Sequence, residues 1–284
     1  MSKLAILIDS TGDLNLELRK KHEIDDYCAM HISYDDKEIV ASLDWDAGVS
    51  PDELYQVLRE GRRIYTSAVT VQEYEEKFTK YLEQGRDVLY ISCSSGLSAS
   101  INVATQVAEK LNAKYSDCKV VCVDSLISGY AQGSMAIKAR ELANEGKSVD
   151  EIAEVITATR LKYNQVASCE TLKYLKMAGR VTAASAFFGN LFGVKPILIS
   201  DAVGHNYASK KVKGRLPSIK EVARMVAELG EDIENQVVYI GHVVDPQGAE
   251  LLKQEILKVC KPKEIYIGLI GPILGGSVGP GTVS

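Results

Sequence analysis

No stretch of this sequence reaches the ~18 consecutive apolar residues that a membrane span needs. Met-Ser-Lys-Leu-Ala at its start leads toward a strand, not a signal peptide. Positive charge is short as well: 33 Lys and Arg face 38 Asp and Glu, for a formal net charge of −5 and a pI near 5.5. That balance argues against a nucleic-acid partner, because phosphate contacts need clustered cations. Six cysteines are present (Cys28, Cys93, Cys118, Cys122, Cys169 and Cys260), yet they form neither a CxxC pair nor zinc-ligand spacing. Reduced thiols and a cytoplasmic location are expected. A P-loop and a carboxylate cluster for Mg²⁺ are missing too, so no cofactor is expected. There is no Pro- or Gly-rich linker, although 284 residues at ~150 per domain suggest two domains. The two halves are therefore expected to pack closely.

What is present begins with Asp87-Val-Leu-Tyr-Ile-Ser-Cys-Ser-Ser-Gly-Leu-Ser-Ala-Ser-Ile101. An apolar strand, Val88 to Ile91, runs into a turn carrying Ser92, Ser94, Ser95, Ser98 and Ser100 around Gly96. A helix with apolar residues at Ile101, Ala104, Val107, Ala108 and Leu111 follows. Unpaired N–H groups and the peptide dipoles make such a junction an anion site, and hydroxyls add donors without adding charge. One serine is enough to cap a helix; five in nine residues ask for a second purpose. Three further segments read alike: Leu4 to Ile8 before Asp9-Ser-Thr-Gly-Asp-Leu14, Ile64-Tyr65 before Thr66-Ser-Ala-Val-Thr70, and Val120 to Val123 before Asp124-Ser125. In a parallel sheet these turns share one edge, where open α/β folds bind ligands. Four of them predict a polar, largely uncharged crevice.

Capping-box patterns mark helix starts at Ser50, Thr70, Ser148 and Ser218, each followed three residues later by Glu. Strand–helix units continue to about residue 145, after which a helix over 149–161 has no strand before it. This predicts an N-terminal parallel α/β domain over 1–162 and a C-terminal α/β domain with an antiparallel sheet over 163–284. In the second half, strands are expected at 165–169, 196–200, 206–212, 237–243 and 265–270. Ala202-Val-Gly-His205 reads as a hairpin turn, and helices are expected at 171–178, 183–192, 219–229 and 247–259. The segment Ala183-Ala-Ser-Ala-Phe-Phe-Gly-Asn-Leu-Phe192 holds three of the four phenylalanines. A helix mixing Phe187 and Phe192 with small residues can line a slot for a flexible apolar ligand.

Together, Asp9-Ser-Thr-Gly-Asp-Leu14, Thr66-Ser67, Ser94-Ser-Gly-Leu-Ser98, Val123-Asp-Ser125, Leu172-Lys-Tyr-Leu-Lys-Met-Ala-Gly-Arg-Val181, Val194-Lys-Pro-Ile-Leu198 and Gly279-Pro-Gly281 occur in an order that resembles the DegV family of bacterial fatty-acid-binding proteins. The resemblance runs nearly end to end. It implies two α/β domains with a long-chain fatty acid buried between them. It also implies a protein that is not an enzyme but presents the carboxylate to an ATP-dependent kinase subunit, which makes the acyl phosphate. By the same resemblance, Thr66 meets the carboxylate with Ser95 opposite it, beside Ser67 and Ser98. Ser277 stands where the family carries a His. Arg180 and Lys213 fall on the partner-facing motifs, Lys213 in place of an arginine. The sequence also leaves two rivals: a serine hydrolase using Ser98, in Gly96-Leu-Ser-Ala-Ser100, with His205 or His242, and a phosphosugar or dihydroxyacetone-kinase-like site.

Overall fold

The computed structural model describes residues 3–181 and 193–284. In chain order the first part comprises β1 (Leu4–Asp9), α1 (Leu16–Lys21), β2 (Asp26–Cys28), β3 (His31–Tyr34), β4 (Lys37–Val40), α2 (Pro51–Arg59), β5 (Tyr65–Ser67), α3 (Val71–Leu82), β6 (Asp87–Ser92), α4 (Ser100–Lys114), β7 (Val120–Asp124), α5 (Gly129–Asn144) and α6 (Val149–Thr159). The second comprises β8 (Val166–Ser168), α7 (Lys173–Ala178), β9 (Val194–Ser200), β10 (Asn206–Lys213), α8 (Arg215–Leu229), β11 (Val237–His242), α9 (Pro246–Val259), β12 (Glu264–Leu269) and α10 (Pro272–Val278).

A parallel sheet of order β2-β1-β6-β7 forms the first layer. All six residues of β1 are buried, as the central strand of a sheet covered on both faces requires. Helices pack on each side: Tyr74, Phe78 and Tyr55 sit in one core with Tyr90, whereas Met135, Ala139 and Ile152 share the other with Ile6 and Ile8. The boxes at Ser50, Thr70 and Ser148 are formed, with serine or threonine and glutamate each bonding the other's backbone. The one expected at Ser218 is not. Gly214, at φ 92°, starts α8 earlier, so Ser218 lies inside the helix and donates to the Arg215 carbonyl.

Strand β5 also departs from expectation. It pairs antiparallel with β3 in a separate small sheet, β4-β3-β5, so the Thr66 turn does not belong to the parallel sheet. Only three of the four anticipated turns follow parallel strands.

In the second layer β10-β9-β8 is antiparallel, with 202–204 as the hairpin turn between β9 and β10. Strands β11 and β12 pair in parallel, so this layer is mixed. Val283 joins its two groups, bridging Ser168 on one side and His242 on the other. The layers are closely packed. Tyr130 of α5 stacks on Tyr239 of β11, centroids 5.6 Å apart, and Ile270 and Ile273 enter the Tyr55–Tyr90 core.

Helix α10 was not anticipated, because Gly275-Gly276 reads as loop. The glycine is required by close approach: a Cβ at Gly275 would stand 1.8 Å from the Tyr55 hydroxyl.

Candidate functional site: a crevice between the layers

The turns after β1 and β6 and helix α5 are tied together by one carboxylate. Asp9 is fully buried. Its Oδ1 accepts from the Thr11 amide (3.0 Å) and the Gln132 side chain (3.2 Å), and its Oδ2 from the Cys93 amide (2.7 Å) and the Tyr90 hydroxyl (3.0 Å). A carboxylate so surrounded holds separate loops in one arrangement. The serine cluster serves α4 only in part: the N-cap residue is Ala99, which has no side-chain bond to give, and Ser98 Oγ accepts the first helical amide, that of Ser100, at 3.2 Å. Ser98 Oγ also lies 2.9 Å from Ser100 Oγ. Ser94 Oγ donates across the layers to the Gly204 carbonyl at 2.8 Å. The hairpin tip can sit this close because a Cβ at Gly96 would lie 2.9 Å from Gly204 backbone, and one at Gly204 only 2.0 Å from Ser94 Oγ. The β9–β10 hairpin therefore clasps the serine loop.

Between the layers lies a cavity of about 940 Å³, near the upper end of ligand-pocket sizes. Its wall carries hydroxyls, among them Thr11, Thr66, Ser67 and Ser98, and apolar side chains, among them Met30, Ala167, Leu175, Leu198, Ile273 and Val278. Leu175 and Leu198 belong to a small cluster with Leu172 and Cys169, partly covered by Ala167 and Val278.

Of the residues singled out from sequence, Thr66, Ser67, Ser98, Ser277 and Arg180 line this cavity. Ser95 is exposed and is not part of the lining; its amide donates to Asp124 Oδ1 at 3.1 Å. Ser277 is buried on α10, its hydroxyl donating to the Ile273 carbonyl at 3.1 Å. Arg180 follows the left-handed Gly179 and donates to the Ala178 carbonyl. Lys213 is exposed at the end of β10, outside the lining. Phe187 and Phe192, the expected slot residues, lie outside the described residues.

The hydrolase geometry is not formed. His205 faces Asp201 at 3.7 Å, and His242 Nδ1 accepts the Asp245 amide at 3.3 Å. Burial lowers the His242 pKa. Neither histidine is hydrogen-bonded to Ser98 among the described residues.

Two cavity-wall residues escaped the sequence reading. Asp13 is buried with Oδ1 accepting the Gly271 amide at 2.8 Å, and burial lifts its carboxyl to about 8. Gln165 donates to Ser200 Oγ (2.9 Å) and Asn206 Oδ1 (3.2 Å). Asp13 was visible only as one polar residue in a polar turn, and no local pattern marks Gln165.

Comparison with known proteins agrees with this architecture. A family model described as "Uncharacterised protein, DegV family" matches residues 3–284. A DegV domain-containing protein of Clostridium perfringens is 31% identical, over 100% of this chain and 97% of its own length. Among solved structures, a DegV family protein of Thermus thermophilus, described by its fatty acid binding, superposes with a TM-score of 0.87 at 25% identity, covering 99% of this chain and 97% of that one. A DegV lipid binding protein of Thermotoga maritima superposes with a TM-score of 0.85 at 25% identity, covering 99% and 96%. The chain belongs to the DegV family.

Proposed function

We propose that this protein binds a long-chain fatty acid in the crevice and presents its carboxylate to an ATP-dependent kinase subunit that forms the acyl phosphate. The observation that carries the binding is a cavity whose lining holds both hydroxyls and apolar side chains, as an amphipathic chain needs. The Thermus thermophilus and Thermotoga maritima relatives, described as fatty-acid- and lipid-binding, support it. Thr66, Ser67 and Ser98 receive the carboxylate, with Ser277 on the α10 side and Ser95 opposite Thr66, as the family motif implies. Arg180 and Lys213 serve as docking cations for the kinase, as the family motifs imply.

Magnitudes divide the labour. A dozen buried methylenes supply ~10 kcal/mol gross at ~0.8 kcal/mol each, whereas a hydrogen bond to a charged oxygen nets ~1.5–3 kcal/mol. The apolar wall sets affinity and the hydroxyls set where the carboxylate sits. Denaturing extraction of the purified protein followed by mass spectrometry should find long-chain fatty acid near one-to-one occupancy. Recovering no acyl species, together with no uptake of added fatty acid, refutes the reading.

A further inference from the structure

The strand that carries Thr66 and Ser67 is held from outside the cavity. Strand β5 has three residues and, among the described residues, pairs only with β3. The register sets Thr66 opposite Ile32 and Ser67 opposite His31. Residues directly opposite in an antiparallel pair share a face, so His31 stands beside Ser67, and Thr66 shares the other face with buried Ile32. Thr66, Ser67 and Ala68 line the cavity, whereas His31 is not part of the lining. Further along, Thr70 caps α3, and Glu73 Oε2 accepts from the Thr70 amide and hydroxyl, each at 2.8 Å. The other oxygen, Oε1, lies 3.3 Å from His31 Nε2. One carboxylate thus grips the chain on both sides of 68–69, directly at Thr70 and through His31 beside Ser67. The boxes at Ser50 and Ser148 have no such second grip: among the described residues Glu53 and Glu151 hydrogen-bond only their own caps.

We propose that His31 is a positioning residue for the head-group end of the crevice: through Glu73 it fixes β5 against α3 and so sets where the Thr66 and Ser67 hydroxyls stand. The proposal rests on the reading of the crevice as a fatty-acid site with these hydroxyls on the carboxylate, and it adds a residue that touches no ligand. A three-residue strand has few ladder bonds to hold it, and a slip of one residue would carry each of its side chains to the opposite face. The His31–Glu73 contact ties the register of β5 to the first turn of α3, where the capping box already holds Thr70. In that contact the imidazole Nε2–H donates and Glu73 Oε1 accepts. Removing the donor loosens the hydroxyl-bearing strand and leaves the apolar wall as it was.

The test compares octadecanoic acid with its methyl ester, each displacing a fluorescent fatty acid. The two share an acyl chain and differ in the charged oxygen, so the ratio of their affinities reads head-group placement and cancels a general weakening of the fold. Wild type should prefer the acid by about tenfold or more. His31→Phe, which keeps a ring and removes the donor, should cut that preference by about two- to fivefold, the worth of a partly exposed pair, with ester affinity unchanged. His31→Gln, whose amide nitrogen donates from the place of the imidazole Nε2, should restore it. In a Thr66→Val, Ser67→Ala background His31→Phe should have no further effect, because the hydroxyls through which it acts are gone. If His31→Phe fails to fold, His31→Ala takes its place in each comparison. An acid preference that is absent in wild type, unchanged without the donor, not restored by His31→Gln, or still reduced in the background lacking both hydroxyls overturns the positioning role and leaves chain binding standing. Binding of neither acid nor ester overturns the fatty-acid reading and this role together.

Discussion

Asp13 makes the stability of this protein depend on pH in a direction opposite to that of most carboxylates. The perturbation is Asp13→Asn, which preserves acceptance from the Gly271 amide and removes the titrating group. Burial raises the carboxyl from 3.8 to about 8. An unfolded chain releases this proton near 3.8, whereas the native state retains it to about 8. Between those values the native state carries one proton more than the unfolded state, so wild-type stability falls as pH rises. The loss is ~1.4 kcal/mol per pH unit. The variant has no such loss, and the other titrating groups cancel in the difference. The advantage of Asp13→Asn over wild type should therefore widen by about 3 kcal/mol between pH 5 and 7 and level off above about pH 8. Urea, being uncharged, is the denaturant of choice, with free energies extrapolated at each pH for both proteins. Stability differences independent of pH would mean that Asp13 ionises normally and that the space around it is wet.

Three other outcomes follow from the site. Thr66→Val combined with Ser95→Ala should weaken fatty-acid binding by only about tenfold to a hundredfold yet abolish acyl phosphate formation with a cognate kinase; unchanged phosphorylation would remove both residues from the carboxylate site. Gly204→Ala should lower unfolding free energy by at least about 1–3 kcal/mol in a denaturant titration, since φ is +83° and the new Cβ meets Ser94 Oγ; an unshifted midpoint would mean the hairpin does not hold the serine loop. Ser277→His should tighten fatty-acid binding below about pH 6.5, where imidazole is cationic and the ligand carboxylate remains ionised; fluorescent fatty-acid titrations that superimpose with wild type at about pH 5.5 and 8 would place position 277 away from the head group.

Where local pattern and tertiary demand coincide, the sequence was readable. The alternation of apolar strand, hydroxyl-bearing turn and helix at Leu4–Leu14 and Val88–Leu111 predicted the parallel sheet, and Ala202–His205 marked the β9–β10 turn. The surplus of serines over what a cap needs was informative, because Ser98 bonds the start of α4 while Ser94 reaches across to the Gly204 carbonyl. Elsewhere the deciding contacts are remote. Tyr65–Ser67 is too short to show a direction, and its antiparallel pairing depends on Ile32, over 30 residues earlier. Ser218-Ile-Lys-Glu221 has the pattern of a helix start, but a backbone turn at Gly214 pre-empts it. The glycines of α10 look like a loop until Tyr55 is seen against them. Gln165 acquires its role only through Ser200 and Asn206, 35 and 41 positions away.

The placement of Val283 bears on how the chain reaches its native state. Ser168 and His242, its two partners, belong to strand groups that each form from nearby sequence: β9 and β10 through a hairpin, β11 and β12 around a single helix. Neither group can join the other until a segment more than a hundred residues downstream of Ser168 arrives between them. Closing so long a loop costs entropy before any contact repays it. The slow step in folding is thus expected to be the insertion of 282–284, with both strand groups already formed and their inner edges unpaired. During that interval those edges are open to strands from other chains, so a peptide corresponding to 282–284 and its neighbours would compete with the chain's own segment at the point where the layer is most vulnerable.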